Sequence, residues 1–360
     1  MPSSSVWNSV RGHQSQIDLF RRSLRRKRLA SAYLFVGPDG VGKRLFAHKL
    51  AQCLLCARIP DEDLEACGEC SSCRQMMIDS HPDLLTAAPP EGKTVFPIEA
   101  VAGSKERRGR EGLCYDISLR PMMAERRVAV IDDVQQMNAE AANAFLKTLE
   151  EPPAYATLFL ITSNESALLP TIRSRCQPVR FAPLPPSEIA SLLIETGKLE
   201  DEDEAAAVAA LSEGSLTISL QLLDPELREL RSKLYTALAR DNDNPLALSK
   251  QMIADGIEQM GTDTASQRQN AIWLVRFVIE FYRRTLQVLA EGSDSSSMVV
   301  PQVKQFASVW SADSARAWET LMGMLEHAIK AERQLARNNP PKMVLETLFE
   351  TLSQIRRQMV

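Results

Sequence analysis

The chain has 360 residues, 44% hydrophobic and 24% charged, with a formal net charge of −4. That length accommodates two or three domains with separate cores, and the composition is that of an ordinary soluble protein. The charge gives no whole-chain reason to expect autonomous binding to nucleic acid, and no apolar run approaches the roughly 20 residues of a membrane span.

The start, MPSSSVWNSVRGHQ, lacks the charged-then-apolar layout of a secretory signal. Of the seven cysteines, four cluster, which favours metal binding in a reducing compartment over a disulfide framework. The cytoplasm is the expected location.

Residues 14–28 have helical spacing, with Ile17, Phe20 and Leu24 apolar among Arg21, Arg22, Arg25, Arg26, Lys27 and Arg28. Such a basic run is read first as a solvated face. Tyr33, Leu34, Phe35 and Val36 then form a short apolar run of the kind expected of a buried parallel strand. Residues 37–44, GPDGVGKR, follow it, and Leu45, Phe46, Ala47, Leu50, Ala51, Leu54 and Leu55 recur beyond at helical spacing.

Strand, glycine-rich turn and helix are the order in which a helix N-terminus meets an anion. The octet matches the phosphate-binding loop GxxxxGK, in which backbone N–H groups wrap the phosphates and the lysine, here Lys43, neutralises them. The next residue of that loop is a Ser or Thr whose hydroxyl holds Mg²⁺. Here it is Arg44, which has no lone pair for a cation. The loop is thus expected to cradle a nucleotide through Gly37, Gly40, Gly42, Lys43 and Arg44, and to be poorly equipped to hydrolyse one.

Cys67, Cys70 and Cys73 fall in CGECSSC, two CxxC steps sharing a cysteine, and Cys56 upstream supplies a fourth thiolate. Four thiolates suit tetrahedral Zn²⁺ in a closed, structural site. Cys53, one helical turn earlier, and His81 are alternatives for the fourth ligand. Cys114 and Cys176 read as ordinary small buried residues.

Residues 83–86 are expected to form a short strand. The stretch from 87 to 126 is rich in Pro, Gly and charge, and its elements are not placed, beyond an exposed turn at ERRGRE, residues 106–111. Order returns at residues 127–133, RVAVIDD, a buried strand ending in Asp132 and Asp133. These stand where a P-loop NTPase carries its Walker B acids; the first supports Mg²⁺. The second is a glutamate in many such ATPases, and Asp133 is one methylene shorter.

Asn138 is a plausible cap for a helix beginning at Ala139 and stopped by Pro152 and Pro153. Residues 157–162, TLFLIT, and 179–181 read as further strands, with Ser174-Arg175-Cys176 between them. Strands alternating with helices argue for an α/β parallel sheet covered on both faces.

Beyond Pro183, Pro185 and Pro186 helical periodicity takes over. The acidic residues 200–204 read as a helix start or a solvated loop. Trp273, Phe277, Phe281 and Leu289 fit one helix, Trp318, Leu321, Met322, Leu325 and Ile329 another, and Met343, Leu345, Leu348 and Leu352 a last one, with a break at Asn338, Asn339, Pro340 and Pro341.

Taken together, RLASAYLFVGPDGVGK, LLC, CGECSSC, HPDLL, VAVIDDVQQMNAEAANAFLKTLEEPP, TLFLITSN, LLPTIRSRCQPVRF and ARNNPPKMVLETL resemble the clamp-loader branch of the AAA+ ATPases, with the likeness strongest to the delta-prime subunit family of bacterial DNA polymerase III. The features run in order across nearly the whole chain.

The resemblance implies a P-loop ATPase-like module at residues 1–183 with a zinc-binding insertion at 56–73, a small helical lid at 184–245 and an all-α collar at 246–360. It implies Zn²⁺ on Cys56, Cys67, Cys70 and Cys73, and ATP or ADP held near Asp132 without hydrolysis. It implies that Arg175 acts in trans on ATP held by a neighbouring gamma/tau subunit. The implied partners are gamma/tau and delta subunits in a hetero-pentamer, the sliding clamp, and primed DNA reached through the assembly, with no membrane.

The gamma/tau motor subunits are the alternative. They resemble this chain through the zinc and SRC motifs but keep a Thr or Ser after the P-loop lysine and a Walker B Glu, and tend to carry an arginine in the lid's Gly-Ser motif. Here that motif is Glu213-Gly214-Ser215-Leu216-Thr217, without arginine.

Overall fold

A computed structural model describes residues 5–89, 95–240, 245–258, 264–291, 301–310, 314–337 and 339–357. The described chain divides into two compact units, Met1–Ser219 and Leu220–Val360.

The first unit is built on a five-stranded sheet in the order β2-β3-β4-β1-β5. The strands are β1 (Ala32–Val36), β2 (Leu84–Ala87), β3 (Arg127–Ile131), β4 (Ala156–Thr162) and β5 (Gln177–Arg180), and every pairing is parallel. Each of β1, β3 and β4 is buried along its whole length, which is why each reads as a mainly apolar run, broken only by the buried Arg127, Thr157 and Thr162.

Side-chain alternation sends Tyr33, Phe35, Val128, Val130, Phe159 and Ile161 to one face and Ala32, Leu34, Ala129, Ile131, Leu158 and Leu160 to the other. The first face is covered by helices α1 (Gln14–Arg25) and α2 (Lys43–Leu54) and by the cysteine-rich insertion with its helix α3 (Ser71–Met77). The second is covered by α4 (Ile98–Ala102), α5 (Leu113–Ser118), α6 (Ala139–Glu150) and α7 (Pro170–Arg173). Phe20, Phe35, Phe46 and Phe159 are fully buried on the first face, their burial contributing about 1.5–3 kcal/mol each.

Helix α6 starts as its sequence predicts, with Asn138 Oδ1 accepting from the Ala141 N–H at 2.8 Å. The short helices α4 and α5 fall in the stretch whose elements the sequence left unplaced; residues 90–94 of that stretch lie outside the described residues.

Strand β2 begins at Leu84, not at Asp83. The Asp83 carboxylate is turned inward, fully buried, and accepts from the N–H groups of Met122 (2.7 Å), Met123 (2.8 Å) and Ala124 (2.9 Å). Residues 106–111 form the expected exposed turn.

After β5 come α8 (Pro186–Glu195), α9 (Glu202–Leu211), which starts in the acidic stretch with Asp201 as its N-cap, and α10 (Leu216–Leu222), within which the two units divide.

The second unit is helical: α11 (Pro225–Ala239), α12 (Pro245–Ile253) continued by a π-helical turn at Ala254–Glu258, α13 (Thr264–Glu291), α14 (Pro301–Trp310), α15 (Ser314–Ala336) and α16 (Pro341–Arg357). Tyr235, Phe277, Phe281, Phe306, Leu321, Leu345, Leu348 and Leu352 are buried in it, while Trp318, Met322 and Met343 stay exposed. Asn338, in the expected break, lies outside the described residues. Among the described residues no single helix is long and apolar enough to cross a membrane.

Candidate functional site

The C-terminal ends of β1 and β3 converge on one site because β4 lies between them as their common neighbour. From β1 the chain turns at once into residues 37–44, with Gly40 at φ +72° and Gly42 at φ +96°, conformations that glycine adopts without steric cost. The Gly37 N–H donates to the Thr162 carbonyl at the end of β4, at 3.3 Å, pinning the loop to the sheet.

Gly42 caps α2, so Lys43 is that helix's first residue. Lys43 is 6% exposed, and its Nζ donates to the carbonyls of Gly37 (2.7 Å) and Pro38 (2.6 Å), the mouth of its own loop. Burial lowers its pKa, against the pull of Asp39, Asp132 and Asp133.

Arg44 follows one step along the helix and reaches the Walker B position. Its Nη1 lies 3.8 Å from Asp132 Oδ2. Burial raises the Asp132 pKa, as does the neighbouring Asp133, while Arg44 draws it down. A guanidinium offers donors only and cannot ligate a cation. The residues present therefore do not fit the Mg²⁺ that hydrolytic P-loop sites use.

Asp133 is set apart differently. It takes a left-handed backbone, φ 50°, two residues beyond the end of β3, and its carboxylate accepts from Gln135 Nε2 at 2.8 Å.

Two features of the loop carried no signal in the sequence. The Leu216 N–H donates to the Gly40 carbonyl at 3.0 Å, and a Cβ on Gly40 would lie 2.2 Å from Ser215 Oγ and 2.7 Å from Thr217 Oγ1. The glycine is therefore required by close approach of the Gly-Ser-Leu-Thr segment as well as by its φ. His13 Nε2 donates to the Val41 carbonyl at 2.7 Å, and burial keeps that imidazole's pKa low.

Arg175 stands just beyond α7 on the rim of the unit. Its Nη1 donates to the Thr171 carbonyl at 2.8 Å, and its Nη2 is ion-paired with Glu150 at the end of α6. Its side chain keeps a third of its surface open to solvent.

On the first face of the sheet the sulfurs of Cys56, Cys67, Cys70 and Cys73 lie within 4.8 Å of one another. Cys67 Sγ and Cys73 Sγ are 3.9 Å apart, against the roughly 3.8 Å edge of a thiolate tetrahedron built on a 2.3 Å zinc–sulfur bond.

Backbone N–H groups point at three of the sulfurs: Ile59 at Cys56 (3.5 Å), Cys70 at Cys67 (3.4 Å) and Cys73 at Cys70 (3.3 Å). Such bonds stabilise thiolates and orient metal ligands. Burial opposes ionisation of Cys67, but the amides of Glu69 and Cys70 outweigh it and bring the thiol to about 6; burial pushes the Cys73 thiol up. This donor set fits a soft tetrahedral cation. Cys53 and His81, the alternatives, are outside the cluster: Cys53 is fully buried in the core with a raised pKa, and His81 Nδ1 accepts from the Asp83 N–H at 3.1 Å.

Residues 12–185 match the family described as DNA polymerase III, delta subunit. The DNA polymerase III subunit delta′ of Pseudomonas aeruginosa is 35% identical over 231 residues, 64% of this chain and 64% of that protein. Over these stretches the chain is similar to the delta′ subunits of DNA polymerase III.

The Escherichia coli delta′ subunit is 32% identical over 208 residues, covering 58% of this chain and 59% of the relative. The tau/gamma subunit of Haemophilus influenzae is also 32% identical, over 219 residues that make up 60% of this chain but 30% of that protein. In each case less than two thirds of the relative's own length is matched. The P-loop, the four cysteines and Arg175 all lie inside residues 12–185, the span that matches the family described as DNA polymerase III, delta subunit.

Proposed function

We propose that this chain is the delta-prime-type subunit of a bacterial DNA polymerase III clamp loader. In this role it joins gamma/tau and delta subunits in a hetero-pentamer that loads the sliding clamp onto primed DNA. Arg175 enters the ATP site of a neighbouring gamma/tau subunit and stabilises charge on the transferring phosphoryl group. The chain's own site does not turn over ATP. The four cysteines hold a structural Zn²⁺, which when bound ties the insertion to the first face of the sheet.

The observation that carries this reading is the Arg44–Asp132 pair. It sets a fixed positive charge where a hydrolytic site binds its metal, while the SRC arginine at the rim remains solvent-accessible. The tau/gamma reading is supported by the Haemophilus influenzae likeness, but it requires Arg44 and Asp133 to do the work of a hydroxyl and a glutamate.

Residues 184–245 and 246–360 serve as lid and collar in this reading. The exposed Trp318 and Met322, one helical turn apart on α15, fit packing against helices of neighbouring subunits.

The test assembles Arg175→Ala protein with its gamma/tau and delta partners and measures ATPase activity stimulated by clamp and primed DNA. A loss of at least tenfold with the complex intact is expected. A wild-type rate in an intact complex overturns the trans-arginine role, and vigorous ATP turnover by the isolated chain overturns the idle site.

A further inference from the structure

The loop of residues 37–44 keeps what a phosphate needs and replaces what a metal needs. Lys43, though buried, is bonded only to the loop's own carbonyls and to no carboxylate nearer than Asp39, whose Oδ1 is 3.9 Å away. A phosphate can take it over by exchanging those bonds for charge-assisted ones. Arg44 adds a second cation one residue on, its side chain 61% exposed and its head 3.8 Å from Asp132. The pair leaves Asp132 already matched to a positive charge, and a divalent cation would have to displace the guanidinium to reach it.

Beside the loop lies a cavity of about 90 Å³, lined by Gly40, Val41 and Gly42 on one side and by Ser9, Val10, Arg11, His13, Leu45, Leu184, Leu192 and Leu216 around it. Its walls are mainly apolar, and Ser9, Arg11 and His13 are the polar residues among them. His13 is 2% exposed, and its Nε2 donates to the Val41 carbonyl at 2.7 Å, which fixes the ring against the loop. A mainly apolar slot adjoining a phosphate-binding loop matches the apolar faces of a nucleotide base.

We infer that this site binds a nucleoside polyphosphate without a divalent cation, the Arg44 guanidinium supplying the positive charge that Mg²⁺ supplies elsewhere. The inference rests on the reading of this loop as a nucleotide site that does not hydrolyse. It makes Arg44 the residue that sets the metal requirement: the subunit holds its nucleotide as a fixed part of its structure, indifferent to the metal on which its neighbours' sites depend.

The experiment titrates the purified full chain with ADP and with ATP, by calorimetry, in buffer cleared of divalent ions on a resin and again with millimolar Mg²⁺. No chelator is added, so the cysteine site is undisturbed. Wild-type affinity is expected to agree within about twofold between the two conditions. Arg44→Thr is expected to bind about tenfold more weakly without Mg²⁺ and to recover when it is added, the loss of one charge-assisted contact. Arg44→Lys, which keeps the charge, is expected to remain indifferent to the metal.

Arg44 is largely exposed, so these variants leave the core untouched, and unchanged thermal melting checks it. Tenfold tighter wild-type binding with Mg²⁺ overturns the inference and leaves the nucleotide site standing. Absence of binding in both conditions overturns both, while the role of Arg175 is read separately in the assembled complex.

Discussion

Glu150 holds Arg175: the last residue of α6 is ion-paired with the arginine of the SRC motif, which also donates to Thr171. Both side chains are partly open to solvent, at 48% and 33%, so the pair adds at most about 1 kcal/mol to stability. In the trans role proposed for Arg175, the pair matters for where it leaves the guanidinium, restrained and partnered by an anion that a neighbouring subunit's phosphate would have to outcompete.

Glu150→Ala is therefore expected to leave the melting temperature nearly unchanged and to raise the stimulated ATPase rate of the assembled complex. The gain is the competing interaction removed, about 1 kcal/mol or roughly fivefold. A rate falling toward that of Arg175→Ala would mean that Glu150 positions the arginine rather than competes for it.

Zinc content gives a second prediction. Cys70 and Cys73 are buried in the same core as Leu64, Ala66 and Trp7, and Trp7 Nε1 donates to the Leu64 carbonyl at 2.8 Å. A metal joining the four sulfurs thus also anchors the N-terminal turn. One zinc per chain is expected by elemental analysis, with binding energy on the order of 10 kcal/mol at neutral pH. Cys70→Ser should release it, lower the melting temperature and shift Trp emission to the red. Metal-free protein with wild-type melting would exclude a structural role.

How much of this was legible in the sequence depends on the range of the interaction. The strands at AYLFV, RVAVI and ATLFLIT could be read because strands buried on both faces are predominantly apolar along their length. The cap at Asn138 and the four cysteines are local patterns, and the cysteine sulfurs do converge. The helices α4 and α5, five and six residues long, are too short to show helical periodicity.

Asp83 misled for a related reason. A strand-like run fixes the apolar residues but does not say where its polar neighbour turns, and the three amides that receive its carboxylate come from residues 122–124. The contacts of Gly40 with Ser215 and Thr217, and of Glu150 with Arg175, join segments that no spacing rule connects.

Asp83 yields a prediction in pH. Burial opposes its ionisation, but the N–H groups of Met122, Ala124 and Met123 prevail and hold its pKa below the ordinary 3.8. A depressed carboxyl stabilises the fold above its unfolded pKa, and that stabilisation is lost as pH falls through the lower folded value. Asp83→Asn, which sets an NH₂ against amide donors, should cost about 1–3 kcal/mol at neutral pH. The gap between the two proteins' urea midpoints should narrow as pH drops below 3.8. A gap constant with pH would show that shape, not charge, makes the residue important.

Gly40→Ala tests the closure of the Gly-Ser-Leu-Thr segment over the loop. Two costs are involved. The backbone at φ +72° is strained for any L side chain, and the new Cβ would sit 2.2 Å from Ser215 Oγ. Together they should destabilise the first unit by about 1–3 kcal/mol. The two are separable because only the second depends on Ser215. Adding Ser215→Gly removes the nearest clash but not the strain, so a double-mutant cycle by urea unfolding should show a favourable coupling of at least about 0.5 kcal/mol. Limited proteolysis should show the segment around residue 214 more readily cut in Gly40→Ala and partly protected again in the double variant. Strict additivity would mean that the segment simply moves aside, and that backbone strain alone makes glycine necessary at position 40.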